Sequence, residues 1–269
     1  MSLELTLHTA PEVPLEAENI SPDRVAGLSP AEIESLSVQH GNEQAAVGDF
    51  FNVEGTSNGT TRLHGDLTNV KYIGAGMSSG HLHVNGNVGA HLGAGMSGGE
   101  IVVTGNVGDW VAPDMSGGRI QIKGDAGHMI GSAYRGSTIG IQGGEIIVHG
   151  NARNEIGHGM RNGIIVIGGN SGDFTGVNML AGTIIVLGEL GNRSGAGMKR
   201  GTIISMHATE LLPTFSYACT YQPAYLRIYL LYLQGLDLPL REEQISGAYQ
   251  RWSGDAIELN RGEILLYKG

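Results

Sequence analysis

Met96–Gly105 reads MSGGEIVVTG, and variants of this segment recur along the middle of the chain. Each copy has a methionine or isoleucine three residues before a glycine, then five residues of strand character, and in most copies a second glycine. Successive copies are 19 residues apart, except for one step of 26. A constant period of this length predicts stacked repeats, each built from one short strand and glycine turns. The residues at the first position are Met77, Met96, Met115, Ile141, Met160, Met179 and Met198.

The apolar residues within each copy alternate with the period of a strand, and the second and fourth strand residues are predicted to point inward. Helices are excluded because a glycine in a helix interior costs roughly 1 kcal/mol relative to alanine. Strands stacked about 4.8 Å apart predict an all-β fold, a parallel β-helix about 34 Å long with about seven 19-residue coils. The predicted inward residues are Leu82, Val84, Ile101, Val103, Ile120, Ile122, Ile146, Val148, Ile165, Ile167, Ile184 and Val186.

Two columns of aligned residues support this stacking. The methionine column is expected in the core, because an unbranched thioether fills irregular gaps between repeats. The second column follows the second glycine, and its Asn and Asp residues tolerate left-handed turns and form hydrogen-bonded ladders. Its members are Asn87, Asn106, Asp125, Asn151, Asn170 and Glu189.

Composition limits the classes of function. The 269 residues carry a formal net charge of −10 and no basic patch, which argues against a nucleic-acid partner. The single cysteine, Cys219, suits a reducing compartment, and no secretory signal is apparent at the N-terminus, so we expect a cytoplasmic protein. The apolar segment 223–233 is too short to span a membrane, which needs about 20 residues.

The pattern predicts three parts: an N-terminal cap (1–62), the β-helix (63–205), and a C-terminal aromatic extension (206–269). In the cap, Ser29–Glu32 has the form of a capping box with proline at the first helical position. In the extension, Pro223–Leu233 predicts an apolar helix and Tyr249–Tyr267 a hairpin.

The outer strand positions change character along the stack. They are polar in early repeats and apolar in late ones, so the late repeats need a cover, either the C-terminal helix or a partner subunit. The helix tyrosines Tyr225, Tyr229 and Tyr232 are therefore candidate partner-binding residues. The late outward residues are Ile164, Val166, Ile185, Leu187, Ile204 and Met206.

Three motifs that resemble catalytic or metal sites have simpler interpretations. Gly76–Gly80 matches the G-x-S-x-G nucleophile elbow, but the match recurs with the repeat and precedes a strand. Gly93–Gly98 matches G-x-G-x-x-G without a following helix to hold a pyrophosphate. His81 and His83 could form half of a metal site, but no other ligand recurs in phase. We expect no catalytic, cofactor-binding or metal-binding residues.

The step of 26 residues contains seven extra residues, Ala133–Ile139, which must bulge from the stack. Insertions in repeat proteins often lie on the binding face. Tyr134, Arg135 and Gly136, together with the nearby Arg153, are therefore candidate partner contacts. A tolerated surface loop remains the alternative.

The G-x-x-G-x-x-x-G turns Gly86–Gly93 and Gly188–Gly195 resemble those of the glutamate synthase C-terminal β-helix domain and of the C subunit of formylmethanofuran dehydrogenase. Further stretches resemble the C subunit of formylmethanofuran dehydrogenase specifically, and this resemblance covers residues 3 to 205. The tail from Leu211 resembles the bacterial relative of that enzyme, the formyltransferase/hydrolase complex. The additional stretches are Val13–Ala17, His40–Glu43, Gly48–Phe51 and Ser132–Gly136.

The resemblance implies a right-handed parallel β-helix that acts as a non-catalytic structural subunit. It also implies an amidohydrolase-type partner that holds a zinc-type metal and releases formate from a methanofuran-type coenzyme in one-carbon metabolism. No cofactor is expected in this chain. The alternatives are the archaeal dehydrogenase, whose partners carry a tungsten or molybdenum pterin and iron–sulfur clusters, a glutamate-synthase-type domain, and a β-helical carbohydrate-active enzyme.

Overall fold

The computed structural model describes residues 2–269, and the chain is mostly β. Three α-helices are present in these residues, α1 (Pro30–Glu34), α2 (Ala224–Gln234) and α3 (Glu242–Ser246), with two short 3-10 helices at Glu18–Ile20 and Val47–Asp49. The strands are β1 (Leu3–Leu7), β2 (Leu15–Glu16), β3 (Ser37–His40), β4 (Glu43–Ala46), β5 (Phe51–Glu54), β6 (Thr60–His64), β7 (Val70–Lys71), β8 (His81–Asn85), β9 (Glu100–Val103), β10 (Arg119–Ile122), β11 (Glu145–Val148), β12 (Ile164–Ile167), β13 (Thr183–Val186), β14 (Arg200–Ser205), β15 (Ser216–Tyr221), β16 (Tyr249–Gly254) and β17 (Arg261–Tyr267).

Thirteen strands form one sheet in the order β15-β16-β17-β14-β13-β12-β11-β10-β9-β8-β6-β1-β5. From β1 through β6 and β8 to β14 and β17, each neighbouring pair is parallel. The register survives the long step, because Arg119 lies opposite Glu145 across 26 residues. The seven extra residues of that step therefore lie outside the ladder.

The predicted strand phase is confirmed, since all twelve predicted inward side chains are fully buried. They form one continuous core with the seven residues of the methionine column, which are also fully buried. The predicted core role of that column is therefore confirmed as well.

The methionine of one repeat packs on the glycine that precedes the strand of the next. A Cβ atom at Gly118 would lie 2.7 Å from Cε of Met96 and 2.8 Å from the carbonyl oxygen of Gly99. The backbone of Gly118 also has φ +89°, a conformation that L side chains rarely adopt. Two independent constraints thus require glycine here. The same contact recurs in the pairs Met77/Gly99, Met115/Gly144, Met160/Gly182, Met179/Gly201 and Met198/Gly262.

The predicted Asn/Asp ladder is confirmed. The side-chain oxygen of each of its first five members accepts the backbone N–H of the next, over 2.7 to 2.9 Å. The association of this column with left-handed turns is wrong, because no member of the column has a positive φ and a regular column of non-glycine left-handed residues lies four positions further along. That second column contains Tyr72, His91, Trp110, Met129, Glu155, Phe174 and Arg193.

The predicted end elements are largely present. Helix α1 begins with the expected capping box between Ser29 and Glu32. Strands β16 and β17 pair antiparallel as the predicted hairpin. The sequence did not indicate β15, which pairs with β16, or the second sheet, whose order is β4-β3-β2-β7.

Truncation of an inward residue should be far more costly than truncation of its outward neighbour. Ile120 is fully buried, so we expect Ile120→Ala to lower the free energy of unfolding by about 2 to 5 kcal/mol. Gln121 is half-buried, and Gln121→Ala should cost about 0.5 kcal/mol or less. Chemical denaturation would measure both, and equal losses would contradict the strand phase.

The glycine contact can be tested with a matched pair. Gly118 and Gly136 have nearly the same φ, +89° and +92°, but a Cβ atom at Gly136 would meet nothing within 4 Å. Alanine at either position should incur the left-handed strain of about 1 to 2 kcal/mol. Gly118→Ala should lose a further 1 to 3 kcal/mol or so, because its Cβ overpacks against Met96. Thermal unfolding of the two variants would separate these effects.

Candidate interaction surfaces

Helix α2 covers the outer face of the late repeats, as one of the two sequence-based alternatives predicted. Its buried side chains Leu226, Leu230 and Leu233 belong to a second apolar cluster. That cluster also contains residues in or directly after β11 to β14, and residues of the α2–α3 connection, α3, β16 and β17. These other members are Ile147, Val166, Ile185, Leu187, Ile204, Met206, Leu238, Leu240, Ile245, Tyr249 and Leu265.

Tyr232 fixes α2 to the sheet through a small polar network. Nη2 of Arg119 donates to the Tyr232 hydroxyl over 2.6 Å, and that hydroxyl donates to Oε2 of Glu145 over 2.8 Å. Arg119 also bonds Glu145 through Nε at 2.9 Å and approaches Glu100 at 3.4 Å. Burial, together with the hydrogen bond to Glu145, raises the pKa of Tyr232 to about 12. Tyr232 thus has an intramolecular role, besides the partner contact predicted for it.

The other face of α2 is open. Tyr225 and Leu231 are 51% and 44% exposed, and Ile228, between them on the same face, is 72% exposed. Tyr229 lies on the flank, where it lines an open groove with Tyr232, Asn162 and neighbouring glycines. Of the three predicted helix tyrosines, Tyr225 is therefore the most accessible to a partner.

In the bulge Ala133–Ile139, the aromatic residue Tyr134 packs against the stack of repeats. The Tyr134 ring lies 4.9 Å from that of Trp110, centroid to centroid, and its hydroxyl is 2.8 Å from Nδ1 of His91. Burial raises the pKa of Tyr134. Arg135 and Gly136 are exposed. Tyr134 thus anchors the loop and holds its next two residues at the surface.

Tyr134 completes an aromatic row that the sequence did not predict. Tyr72 and His91 stack at 4.6 Å, and His91 is followed by Trp110 at 6.2 Å. All three have φ near +60°, a conformation that is rare for bulky residues. Their 19-residue spacing was visible in the sequence, but their residue types gave no sign of a left-handed turn.

Arg153 occupies a column that is otherwise glycine. It is exposed and lines a groove with Asp109 and Asp125. Within residues 2–269, no hydrogen bond or salt bridge joins Arg153 to the bulge. The two predicted partner contacts are therefore not linked to each other by a polar contact in the described residues.

The motifs that resemble catalytic or metal sites form no such site in the part of the chain that the structure describes. Ser78, the serine of the G-x-S-x-G match, donates its hydroxyl to Asp23 and is followed by strand β8. Nδ1 of His81 lies 3.3 Å from Oε2 of Glu100, and burial lowers the pKa of His83. Across the described residues 2–269, no group of three or more His, Cys, Asp or Glu side chains is placed to hold a metal ion. In the same part of the chain, no helix has the length and apolar character needed to cross a membrane.

Comparison with known proteins identifies the class. A family model described as the GXGXG motif matches residues 42–215, well over half of the chain. The chain therefore belongs to the GXGXG motif family. This result agrees with the glycine pattern from which the fold was predicted.

The resemblance to the C subunit of formylmethanofuran dehydrogenase is confirmed. The chain is 47% identical over 80 residues to the C subunit of the molybdenum-containing formylmethanofuran dehydrogenase 1 of Methanothermobacter marburgensis, a match that covers 29% of this chain and 20% of the relative. It is 45% identical over 89 residues to the C subunit of the tungsten-containing formylmethanofuran dehydrogenase 2 of Methanothermobacter thermautotrophicus, covering 31% and 33%. The chain thus spans a third or less of the length of these curated relatives.

A solved structure extends the similarity to the whole chain. The X-ray crystal structure of the formyltransferase/hydrolase complex (FhcABCD) from Methylorubrum extorquens in complex with methylofuran contains a chain that matches with a TM-score of 0.91. The identity is 32%, and the match covers 99% of this chain and 100% of that one. This structural match therefore includes the C-terminal extension (206–269), most of which lies outside the residues 42–215 that the family model matches.

Removal of the Tyr232 hydroxyl should loosen α2. Tyr232→Phe loses both hydrogen bonds of the network, and we expect the free energy of unfolding to fall by about 1 kcal/mol. Because the pKa of Tyr232 is raised from 10.0 to about 12, its contribution is complete below pH 10 and disappears as the pH rises towards 12. The wild-type chain should therefore lose more stability than Tyr232→Phe over this range.

Tyr229→Phe is the matched control, because the Tyr229 hydroxyl makes no hydrogen bond within the described chain. Urea denaturation at pH 8 and at several values between about pH 10 and 12 would compare the variants. Equal behaviour of Tyr229→Phe and Tyr232→Phe would show that the network does not stabilise α2.

Proposed function

We propose that this chain is the non-catalytic structural C subunit of a formyltransferase/hydrolase complex of the bacterial type. The complex releases formate from a formyl-methanofuran-type coenzyme in one-carbon metabolism, in the cytoplasm. The observation that carries the proposal is the end-to-end match to a chain of the FhcABCD complex at 32% identity.

The architecture supports a scaffold. The parallel strands and their corner bridges wind as a right-handed parallel β-helix, with residues 1–62 as a cap, 63–205 as the coils and 206–269 as an extension. The corner bridges Leu67–Val88–Val107–Ala126–Ala152 form a second parallel ladder beside the main sheet. The core is mainly apolar, with a few buried Ser and Thr side chains, so function is assigned to the outer surface.

The catalytic groups belong to other polypeptides of the complex. The zinc-type metal is held by an amidohydrolase-type partner, and the coenzyme meets this chain only through the assembled complex. The exposed residues Arg135 and Gly136, which follow the anchor Tyr134, contact a partner, and so does the exposed Arg153. So do the tyrosines of α2, through Tyr225 and the groove beside Tyr229.

The archaeal formylmethanofuran dehydrogenase is the second candidate. It is favoured by the 47% identity over 80 residues to a chain of a molybdenum-containing enzyme, which exceeds the overall identity to the bacterial complex chain. In that complex, partner subunits would carry a molybdenum or tungsten pterin with iron–sulfur clusters.

Purification of the native assembly through a tag on this chain distinguishes the candidates. We expect an amidohydrolase-type chain and a formyltransferase chain to co-purify, without molybdenum, tungsten or iron in metal analysis. Stoichiometric iron with either of the other metals would instead identify the dehydrogenase. Turnover by the pure, metal-free chain would overturn the scaffold role.

The bulge should contribute to assembly. Tyr134→Ala combined with Arg135→Ala removes the anchor and the exposed arginine, and we expect the affinity for the partner to fall by about 2 kcal/mol or more. The single variant Arg135→Ala keeps the anchor and should lose less. Arg200→Ala, which removes an exposed arginine in β14, is the control. Complex affinity measured by titration would test this, and an unchanged value for the double variant would make the insertion a tolerated loop.

A further inference from the structure

We propose that the outer stripe of α2 docks a segment of a different chain, one that places apolar side chains over Ile228 and a carboxylate opposite Arg227. The outer stripe consists of Tyr225, Ile228, Leu231 and Tyr232. The inference rests on the proposed function, because it names the chemistry of a partner within the complex.

Helix α2 is apolar on two faces, although only one face packs against the protein. A helix that covers a sheet and meets water on its other side normally carries polar residues there. In α2, Ile228 at the centre of the outer stripe is 72% exposed, more than Tyr225 or Leu231 on either side. The four side chains follow the i, i+3, i+6 and i+7 spacing of a single stripe. A contiguous apolar stripe of this kind is typical of a protein interface.

Arg227 sets the charge of the partner. It is exposed on the flank of the stripe, beside Leu231, and its guanidinium makes no salt bridge or hydrogen bond within residues 2–269. The carboxylate that α2 does contact, that of Glu145, is already bound by Arg119 and by the Tyr232 hydroxyl. A carboxylate from outside would therefore meet an arginine whose bidentate donors are free.

A second copy of this chain is a poor occupant. Two-fold antiparallel packing of α2 on its copy, centred on Ile228, would place both Arg227 side chains on the same flank. Each copy also carries a formal net charge of −10, so approach of two copies is opposed at long range. The clash of the two arginines becomes an attraction when the partner is another chain with an acidic residue at this position.

The opposite flank of the stripe allows the contact to continue. Tyr229 and Tyr232 line an open groove over the sheet margin, together with Asn162, Gly163 and Thr183. The floor of this groove includes glycine backbone, which lets another main chain approach closely. A partner segment lying over Ile228 could thus extend into polar contacts without a change in α2.

Site-specific cross-linking tests the identity of the occupant. The full-length tagged chain, with p-benzoylphenylalanine in place of Ile228, is irradiated within its native assembly, and the linked peptide is sequenced by mass spectrometry. The expected peptide comes from a different polypeptide of the complex and contains apolar residues and an Asp or Glu. The same label at Ile257, which is 74% exposed in the loop between β16 and β17, is the matched control. A linked peptide from this chain itself, or no link at 228, would overturn the proposal.

Charge reversal tests the role of Arg227. Arg227→Glu should weaken assembly at least tenfold, and a Lys in place of the cross-linked partner carboxylate should restore it. Ile228→Asp should weaken assembly by a similar factor, whereas Ile257→Asp should not, with unchanged circular dichroism in both. If the complex forms but none of these variants affects it, this inference fails and the proposed function stands. If no amidohydrolase-type chain co-purifies with the wild-type chain, the proposed function itself fails.

Discussion

The contact between a methionine methyl group and the glycine of the next repeat is the constraint on which the stack depends. It requires a long, unbranched side chain at one position and no side chain at the other, as with Met96 and Gly118. Because the glycine is also left-handed, the chain turns into its next strand at that point. The contact therefore fixes spacing, register and turn at once. The aligned Ile141 has no Cε, and its repeat follows the long step, where the pattern is least regular.

A core this uniform leaves the surface free to vary from repeat to repeat. The early repeats present charged side chains around His81 and Arg119, whereas the late repeats lie under α2. Arg119 is where the two regions meet, since it binds Glu100 on one side and the hydroxyl of Tyr232 on the other. A stack built in this way presents different side chains at defined separations along one sheet.

The elements that follow a local pattern could be predicted from the sequence, and those that depend on contacts between distant residues could not. The strand phase, the methionine core and the cap of α1 each follow from residues a few positions apart. The contact of Tyr134 with His91 spans 43 residues, and that of Arg119 with Tyr232 spans 113. Nothing in the spacing of these residues indicates that they meet. The left-handed column was missed because steric preference argues against Trp110 there, and the repeat geometry overrides that preference.

The order of strands at one end of the main sheet differs from their order in the chain. Strands β15 and β16 are made before β17, yet β17 lies between them and the parallel stack. During synthesis, β15 and β16 therefore emerge before β17, the strand through which they join the parallel stack. The repeats can assemble one after another during synthesis, but β15 and β16 can join the stack only through β17, and the side of Met198 that faces Gly262 stays uncovered until then. The repeats can therefore be added in the order of synthesis, whereas the last three strands of the chain cannot.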